Sequence, residues 1–347
     1  MTMLKIHRYF DTAIERHASD LHLKAGSPPI IRVGGRLITL AEEPLAFQEM
    51  PNLFLPLMDL KNQNDLKQKG EANFMTQYKS RWRARSCIFT QRGCLSGAFR
   101  FIPQTVPSIE SLGLPPILKE IAQMPRGLFL VTGPANSGKT HTLAAIINEI
   151  NKFSARHVIT IEDPIEFVHK ERRSIFTQRE IGVTTNTYSS ALMNALREDP
   201  DVILVGEMRD VDTIEMVLTA AETGHLVFST LHTVGAVQTI DRIVNMFPGH
   251  RHEEIRTQIS MSLIGIISQI LLPSLHKRER VMAHELMIMN SAMRNQIREK
   301  KTNQLKSALM LARKDGCKTL RDSLSEIIKD ERVDPKLITN IMKEIIE

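Results

Sequence analysis

The stretch from Leu128 to Lys152, LFLVTGPANSGKTHTLAAIINEINK, constrains this chain more than any other. A short apolar run precedes the octet Gly133-Pro134-Ala135-Asn136-Ser137-Gly138-Lys139-Thr140, and apolar residues at helical spacing follow it. The octet satisfies G-x-x-x-x-G-K-[ST] at every position, in the strand–loop–helix context that gives the pattern its meaning. Loop amides turned inward cradle phosphate oxygens, and the N-terminus of the following helix adds its positive pole. Lys139 neutralises charge on the terminal phosphates, and the Thr140 hydroxyl ligates Mg²⁺. The spacing predicts a helix from about Lys139 to Lys152 and a site for ATP with Mg²⁺. Asn136 stands where such loops often carry glycine. Asparagine is the non-glycine residue that best tolerates a left-handed backbone, so the loop is expected to close, with some loss of rate left open.

The rhythm around the octet extends the prediction. HVITIED, DVILVGE and HLVFSTLH are further short apolar runs separated by helical segments, which points to a parallel sheet covered by helices on both faces. After Pro248 the pattern turns helical: Ile255, Ile259, Leu263, Ile266 and Ile270 mark one stripe of an expected long helix. The N-terminal third has a different texture. A first helix is expected to run to about Ala18, and PIIRV and RLITL form a hairpin through Gly34-Gly35. A second strand pair surrounds RWRARSCIFTQRG and SGAFRFIP. This small α+β domain is taken to span residues 1–103, followed by a Pro- and Gly-bearing linker over 104–115, an α/β core over 116–275 and a helical region over 276–347.

Bulk properties remove other classes. At 347 residues, 42% apolar and 24% charged, the chain has the size and balance of a two-domain soluble protein. Its longest apolar stretch, Leu263 to Pro273, is broken by Ser268 and Gln269 and falls short of the ~20 residues of a spanning helix. No apolar leader follows the first methionine, so a cytoplasmic location is expected. Cys87, Cys94 and Cys317 form no C-x-x-C pair, which argues against disulfides and structural zinc. The net charge of +6 is spread without a block of five like charges, the pattern of an ordinary basic surface, with an acidic partner or an anionic membrane surface as the alternative.

Acidic residues end two of the apolar runs. Glu162-Asp163-Pro164-Ile165-Glu166 follows HVITI, and Gly206-Glu207 follows VILV. Strand C-termini of a parallel sheet face the ligand crevice, where carboxylates orient water, act as base or hold a metal. Glycine occupies the place where many phosphate-loop enzymes have aspartate, so Glu207 takes the metal-side role, directly or through water. Either glutamate can be the base, with Glu162 slightly preferred. His225 and His232 bracket LVFST and lack cysteine partners, which rejects a metal site. One or both are expected to sense the γ-phosphate or orient the carboxylates, His225 on the nucleotide side and His232 on the catalytic side.

Four blocks taken together, GPANSGKT, ITIEDPIEF, ALREDPDVILVGEMRD and TAAETGHLVFSTLHT, resemble the type IV pilus and type II secretion ATPases. ASDLHLKAGSPPIIRVGGRL and RARSCIFTQRG are also similar to their counterparts there. The chain resembles the retraction branch in particular. It starts almost at the N-domain, lacks a four-cysteine zinc insertion, and carries Ala292-Met293-Arg294-Asn295-Gln296-Ile297-Arg298-Glu299, similar to that branch's AIRNLIRE signature with Met293 and Gln296 as departures. The resemblance implies a PAS-like N-domain, a RecA-like ATPase domain and a helical C-terminal part. It also implies a homo-hexameric motor at the cytoplasmic face of the inner membrane. An inner-membrane pilus platform protein, and a paralogous retraction or extension ATPase, are the implied partners; direct nucleic-acid contact is not expected. An assembly or secretion ATPase, or a low-turnover regulatory subunit, are the alternatives.

Two further expectations concern charge. Arg83 and Arg85 lie two apart, so on a strand they share one face, and Arg92 is expected to return to the same neighbourhood. They are read as catalytic arginine fingers delivered to a neighbouring subunit, since a guanidinium matches phosphate oxygens bidentately. Arg294, Asn295, Arg298 and Glu299 are expected to expose a polar helix face that serves retraction and not ATP chemistry.

Overall fold

Period-two burial and antiparallel pairing build the N-terminal part of this computed structural model, which describes residues 5–79, 82–103, 105–275 and 280–345. The chain divides between Thr105 and Val106 into two compact units. In the first, α1 (Lys5–Glu15) buries Ile6, Tyr9, Phe10 and Ala13, one stripe at helical spacing. Strands β1 (Asp20–Lys24), β2 (Ile30–Val33) and β3 (Arg36–Thr39) follow, then helices α2 (Met50–Phe54) and α3 (Leu60–Lys69). Strands β4 (Glu71–Tyr78), β5 (Trp82–Gln91) and β6 (Cys94–Pro103) complete an antiparallel sheet of order β3-β2-β1-β6-β5-β4. Leu21, Leu23, Ile31, Ala84, Ile88 and Phe99 turn to one face and pack with Phe10 and Phe54. Alternation sends Arg32, Arg83, Arg85 and Arg100 to the other, where Asp20 pairs with Arg100 at 2.9 Å and with Arg32 at 3.6 Å.

The second unit opens with α4 (Ile117–Gln123), then β7 (Gly127–Thr132), α5 (Lys139–Phe153), β8 (His157–Glu162) and β9 (Ile175–Glu180). Next come α6 (Tyr188–Ala195), β10 (Val202–Val205), α7 (Val211–Glu222), β11 (Leu226–Leu231), α8 (Ala236–Asn245) and α9 (His252–Ser262). The chain continues through β12 (Leu263–Pro273), β13 (Arg280–Ile288), α10 (Ser291–Arg298), α11 (Thr302–Leu311), α12 (Leu320–Lys329) and α13 (Pro335–Ile345). The sheet order is β13-β12-β7-β11-β10-β8-β9, parallel except for β13. Strands β7, β10 and β11 are buried along their whole length, which is why they read as unbroken apolar runs. Residues Ile109 and Leu114, expected in the linker, are buried in this unit beside Leu118, Ile121 and Phe129.

One element differs in kind from its expectation. The helix expected through Ile270 ends at Ser262, and Leu263 to Pro273 is a strand paired in parallel with β7. An apolar run buried on both faces fits either period, so periodicity alone cannot separate the two. Packing decides for the strand: at Gly265 a Cβ would lie 2.7 Å from the Met287 carbonyl, a backbone approach that belongs to sheet pairing. Residues 280–288 likewise join this sheet, so the helical part begins at Ser291.

Candidate functional site

Parallel pairing brings the C-terminal ends of β7, β8, β10 and β11 to one edge of the sheet, and the predicted octet, Glu162, Glu207 and His232 gather there. The loop itself is shaped by its first residue. Gly133 has φ 137°, and a Cβ there would stand 2.1 Å from the Gln269 carbonyl oxygen, so no other residue fits. Asn136 has φ 63°, the left-handed conformation that asparagine tolerates, and its carbonyl accepts from Arg280 Nη1 at 3.1 Å. Gly138 forms the N-cap of α5, and Lys139 and Thr140 open the helix.

Lys139 folds back over the loop. Its Nζ donates to the carbonyls of Gly133 at 2.9 Å and Pro134 at 3.0 Å and lies 3.4 Å from His232 Nδ1. Burial lowers its pKa, and the nearby Glu207 carboxylate partly offsets that. With the ammonium donating to Nδ1, the opposite ring nitrogen of His232 donates to Glu207 at 3.1 Å. Glu207 also accepts from Arg209 Nε at 2.8 Å, and Arg209 reaches Asp163 at 3.7 Å. Lysine, histidine, glutamate and arginine thus form one chain of contacts across the mouth of the loop.

Glu162 sits deeper, 9% exposed at the end of β8. It accepts from the Thr160 hydroxyl at 2.7 Å and from Gln178 Nε2 at 3.4 Å. Burial is the main reason its pKa is pushed up to about 7, and the two hydrogen bonds oppose the rise. A carboxyl poised near neutrality is suited to take a proton from water.

The remaining predicted residues are His225 in this unit and Arg83, Arg85 and Arg92 in the first. His225 precedes the first residue of β11, where its ring meets the Ala220 carbonyl at 3.0 Å and Thr223 Oγ1 at 3.3 Å. It is separated from His232 by the length of a six-residue strand, about 20 Å, so the two do not share one crevice within a chain. Arg83 and Arg85 share a face of β5 in the first unit, as expected. Arg92 does not join them. With Gly93 it forms the two-residue turn of the β5–β6 hairpin, both at positive φ, about 20 Å along the strand from Arg85. Thr90 and Gln91, just before the turn, still belong to β5.

In the 292–299 block Asn295, Arg298 and Glu299 are exposed, as expected of a polar face, and Arg294 alone departs from it. Met293 and Ile297 are buried, and the Arg294 guanidinium donates to the Ser260 carbonyl and, at 3.2 Å, to that of Met261. Those carbonyls belong to the last turn of α9, whose acceptors lack helical partners, so Arg294 caps a helix and does not present a solvated face. Arg294→Ala is expected to cost about 1–3 kcal/mol, and Asn295→Ala less than about 0.5, because Asn295 is exposed. Thermal melting checks this: equal melting temperatures for the two variants would return Arg294 to the surface reading.

Sequence reasoning passed over Gln269, Arg280, Gln178 and Arg209. Gln269 left a usable signal, a polar residue inside an apolar run and now 1% exposed. Arg280 and Gln178 come from distant strands and left none. Among the described residues no cluster of three His, Cys, Asp or Glu could hold a metal, and no helix is long and apolar enough to cross a membrane.

Comparison with known proteins matches this geometry to a family. The family of type II/IV secretion system proteins matches residues 105–341. The type IV pilus retraction ATPase PilT of Pseudomonas aeruginosa is 45% identical over 90% of this chain and 90% of its own length. The crystal structure of the pilus retraction motor PilT with bound ADP superposes with a TM-score of 0.90 at 43% identity, covering 97% of each chain. The Legionella pneumophila ATPase DotB superposes with a TM-score of 0.87 at 27% identity, covering 99% of this chain and 96% of its own.

Proposed function

The chain belongs to the type II/IV secretion system protein family, in its pilus retraction branch, and from this we propose that it is a motor whose ATP hydrolysis withdraws type IV pili. The observation that carries the reading is the join between a complete phosphate loop and an ionisable pair at the same sheet edge. Lys139 reaches His232, His232 reaches Glu207, and Glu162 stands buried beside them with its pKa near 7. Lys139 and the loop amides bind and orient phosphate, Glu162 accepts the proton of the attacking water, and His232 relays the state of the loop to Glu207.

Mg²⁺ fits the donor set, since Thr140 and Glu207 offer hard oxygen ligands and the nucleotide's phosphates complete the shell. When bound, the ion would neutralise phosphate charge; Thr140 would hold it directly and Glu207 directly or through water. The working assembly in this reading is a homo-hexameric ring at the cytoplasmic face of the inner membrane, acting on a pilus platform protein alongside a paralogous ATPase. Alternating affinity for ATP and ADP would drive its conformational cycle. A secretion ATPase is the second reading, favoured by the family's description as type II/IV secretion system proteins. The regulatory-subunit alternative rested on Asn136, and the left-handed backbone at that residue supports a loop that closes.

Phosphate release from Mg-ATP, followed against pH, tests the proposal. The base works ionised, so kcat/KM is expected to rise with pH through about 7, the value to which burial raises Glu162. Glu162→Gln should lose that limb and turn over ~10²–10⁴-fold more slowly. Stability moves the opposite way. A carboxyl with a raised native pKa contributes stability below its unfolded value near ~4.3, and that contribution is lost as pH rises through about 7. Glu162→Gln should therefore melt above the parent at pH 8. A flat pH profile with an unimpaired Gln variant would sink the assignment.

A further inference from the structure

We propose that Gln269 is a positioning residue that holds the phosphate loop in its nucleotide-binding form from the neighbouring strand. Three contacts carry this. Gln269 Nε2 donates to the Ser137 carbonyl at 2.7 Å, and its Oε1 accepts from the Thr142 hydroxyl at 2.9 Å. Its own backbone carbonyl packs against Gly133 so closely that a Cβ there would sit 2.1 Å away. One residue thus touches the loop at its first glycine, at its fifth position and in the first turn of α5.

The setting makes these contacts more than a satisfied polar group. Gln269 is 1% exposed in β12, beside β7, and water cannot replace either hydrogen bond. Ser137 and Thr142 are 2% exposed, so the whole bridge is dry. Fixing the Ser137 carbonyl sets the plane of the Ser137–Gly138 peptide and so the direction of the Gly138 amide, and the amides of such a loop must point inward to meet phosphate. A misplacement of about 1 Å in a positioning group can cost ~10²-fold in rate. Gln269 touches no phosphate itself. Its effect reaches the nucleotide only through Ser137 and α5.

This inference rests on the octet being the nucleotide site, and the experiment separates the two. The full-length chain is titrated with a fluorescent ADP analogue, its ATP turnover is measured, and its melting is followed. Gln269→Met keeps volume and removes both hydrogen bonds. Gln269→Glu keeps the acceptor for Thr142 and loses the donor to Ser137. Both are expected to raise the ADP-analogue Kd and the KM for ATP tenfold or more, with a smaller loss in kcat. Thr142→Val leaves the Ser137 contact and should raise Kd by a few fold, which decides the matter if the Gln269 variants fail to fold. Parent-like Kd and KM in Gln269→Met, with only a lowered melting temperature, would overturn the positioning role. A parent chain that does not bind the ADP analogue overturns the nucleotide reading and this inference with it.

Discussion

Lys139→Ala is expected to lose ATP turnover by ~10³-fold or more while remaining folded, because the ammonium supplies charge to the phosphates and little to the core. Its Nζ binds two loop carbonyls, those of Gly133 and Pro134. Pro134 is exposed, so water can take over part of that bonding when the lysine is gone. The loop is held from the other side by Gln269, a contact the substitution leaves intact. The lysine also lies beside His232 and within the field of Glu207, so its removal breaks the chain of contacts that joins loop to carboxylate. Phosphate release and thermal melting measured on one preparation check the prediction. Turnover within a few fold of the parent would mean that this loop is not the hydrolytic site, whatever the melting temperature.

How much of this was legible in the sequence follows from how local each feature is. The loop, β7 and α5 were readable because a phosphate cradle needs fixed residues at fixed spacing and its neighbours carry opposite periods. Glu162, Glu207 and His232 were readable for a related reason: each follows an apolar run, and in a parallel sheet all such ends lie on one edge. His225 shows the limit of that rule. It precedes the strand that His232 follows, and strand length alone puts it at the far edge. Strand β12 was unreadable because burial on both faces erases periodicity; Gln269 stood out there as a polar residue, but its partners, 132 and 127 residues away in the chain, did not. The pairing of Arg294 with α9 is hidden in the same way, since its charge suggested solvent and only the fold supplies the open carbonyls 34 and 33 residues back. The N-domain arginines were half legible. Alternation on β5 set Arg83 and Arg85 side by side, whereas the placement of Arg92 depended on which residues form the turn, the least certain feature of any hairpin.

Mixing two inactive variants is expected to restore hydrolysis if Arg83 and Arg85 act as fingers on a neighbouring subunit's nucleotide. Both arginines lie on one face of β5, in register with Arg100 and Ile102 of β6 and with Met75 and Gln77 of β4. The same face carries Arg32, and the aspartate beside it, Asp20, is engaged by Arg100 and Arg32. Arg32, Arg83, Arg85 and Arg100 thus share one face of this sheet, and a guanidinium matches phosphate oxygens. Arg83→Ala with Arg85→Ala in one subunit should reduce turnover by ~10³-fold, the scale of fingers supplied in trans elsewhere. Lys139→Ala subunits are inactive for a different reason, since they lack the loop charge and keep their fingers. In a ring assembled at random from equal amounts, roughly a quarter of interfaces pair an intact loop with an intact finger set. Activity should return to a comparable fraction of the parent's. Arg92→Ala serves as the control, because its hairpin tip stands about 20 Å along the strand from Arg85 and its loss should leave turnover within a few fold. Mixed rings verified by mass that recover nothing would exclude fingers in trans, and the basic face of β5 would then be a surface for an acidic partner or an anionic membrane.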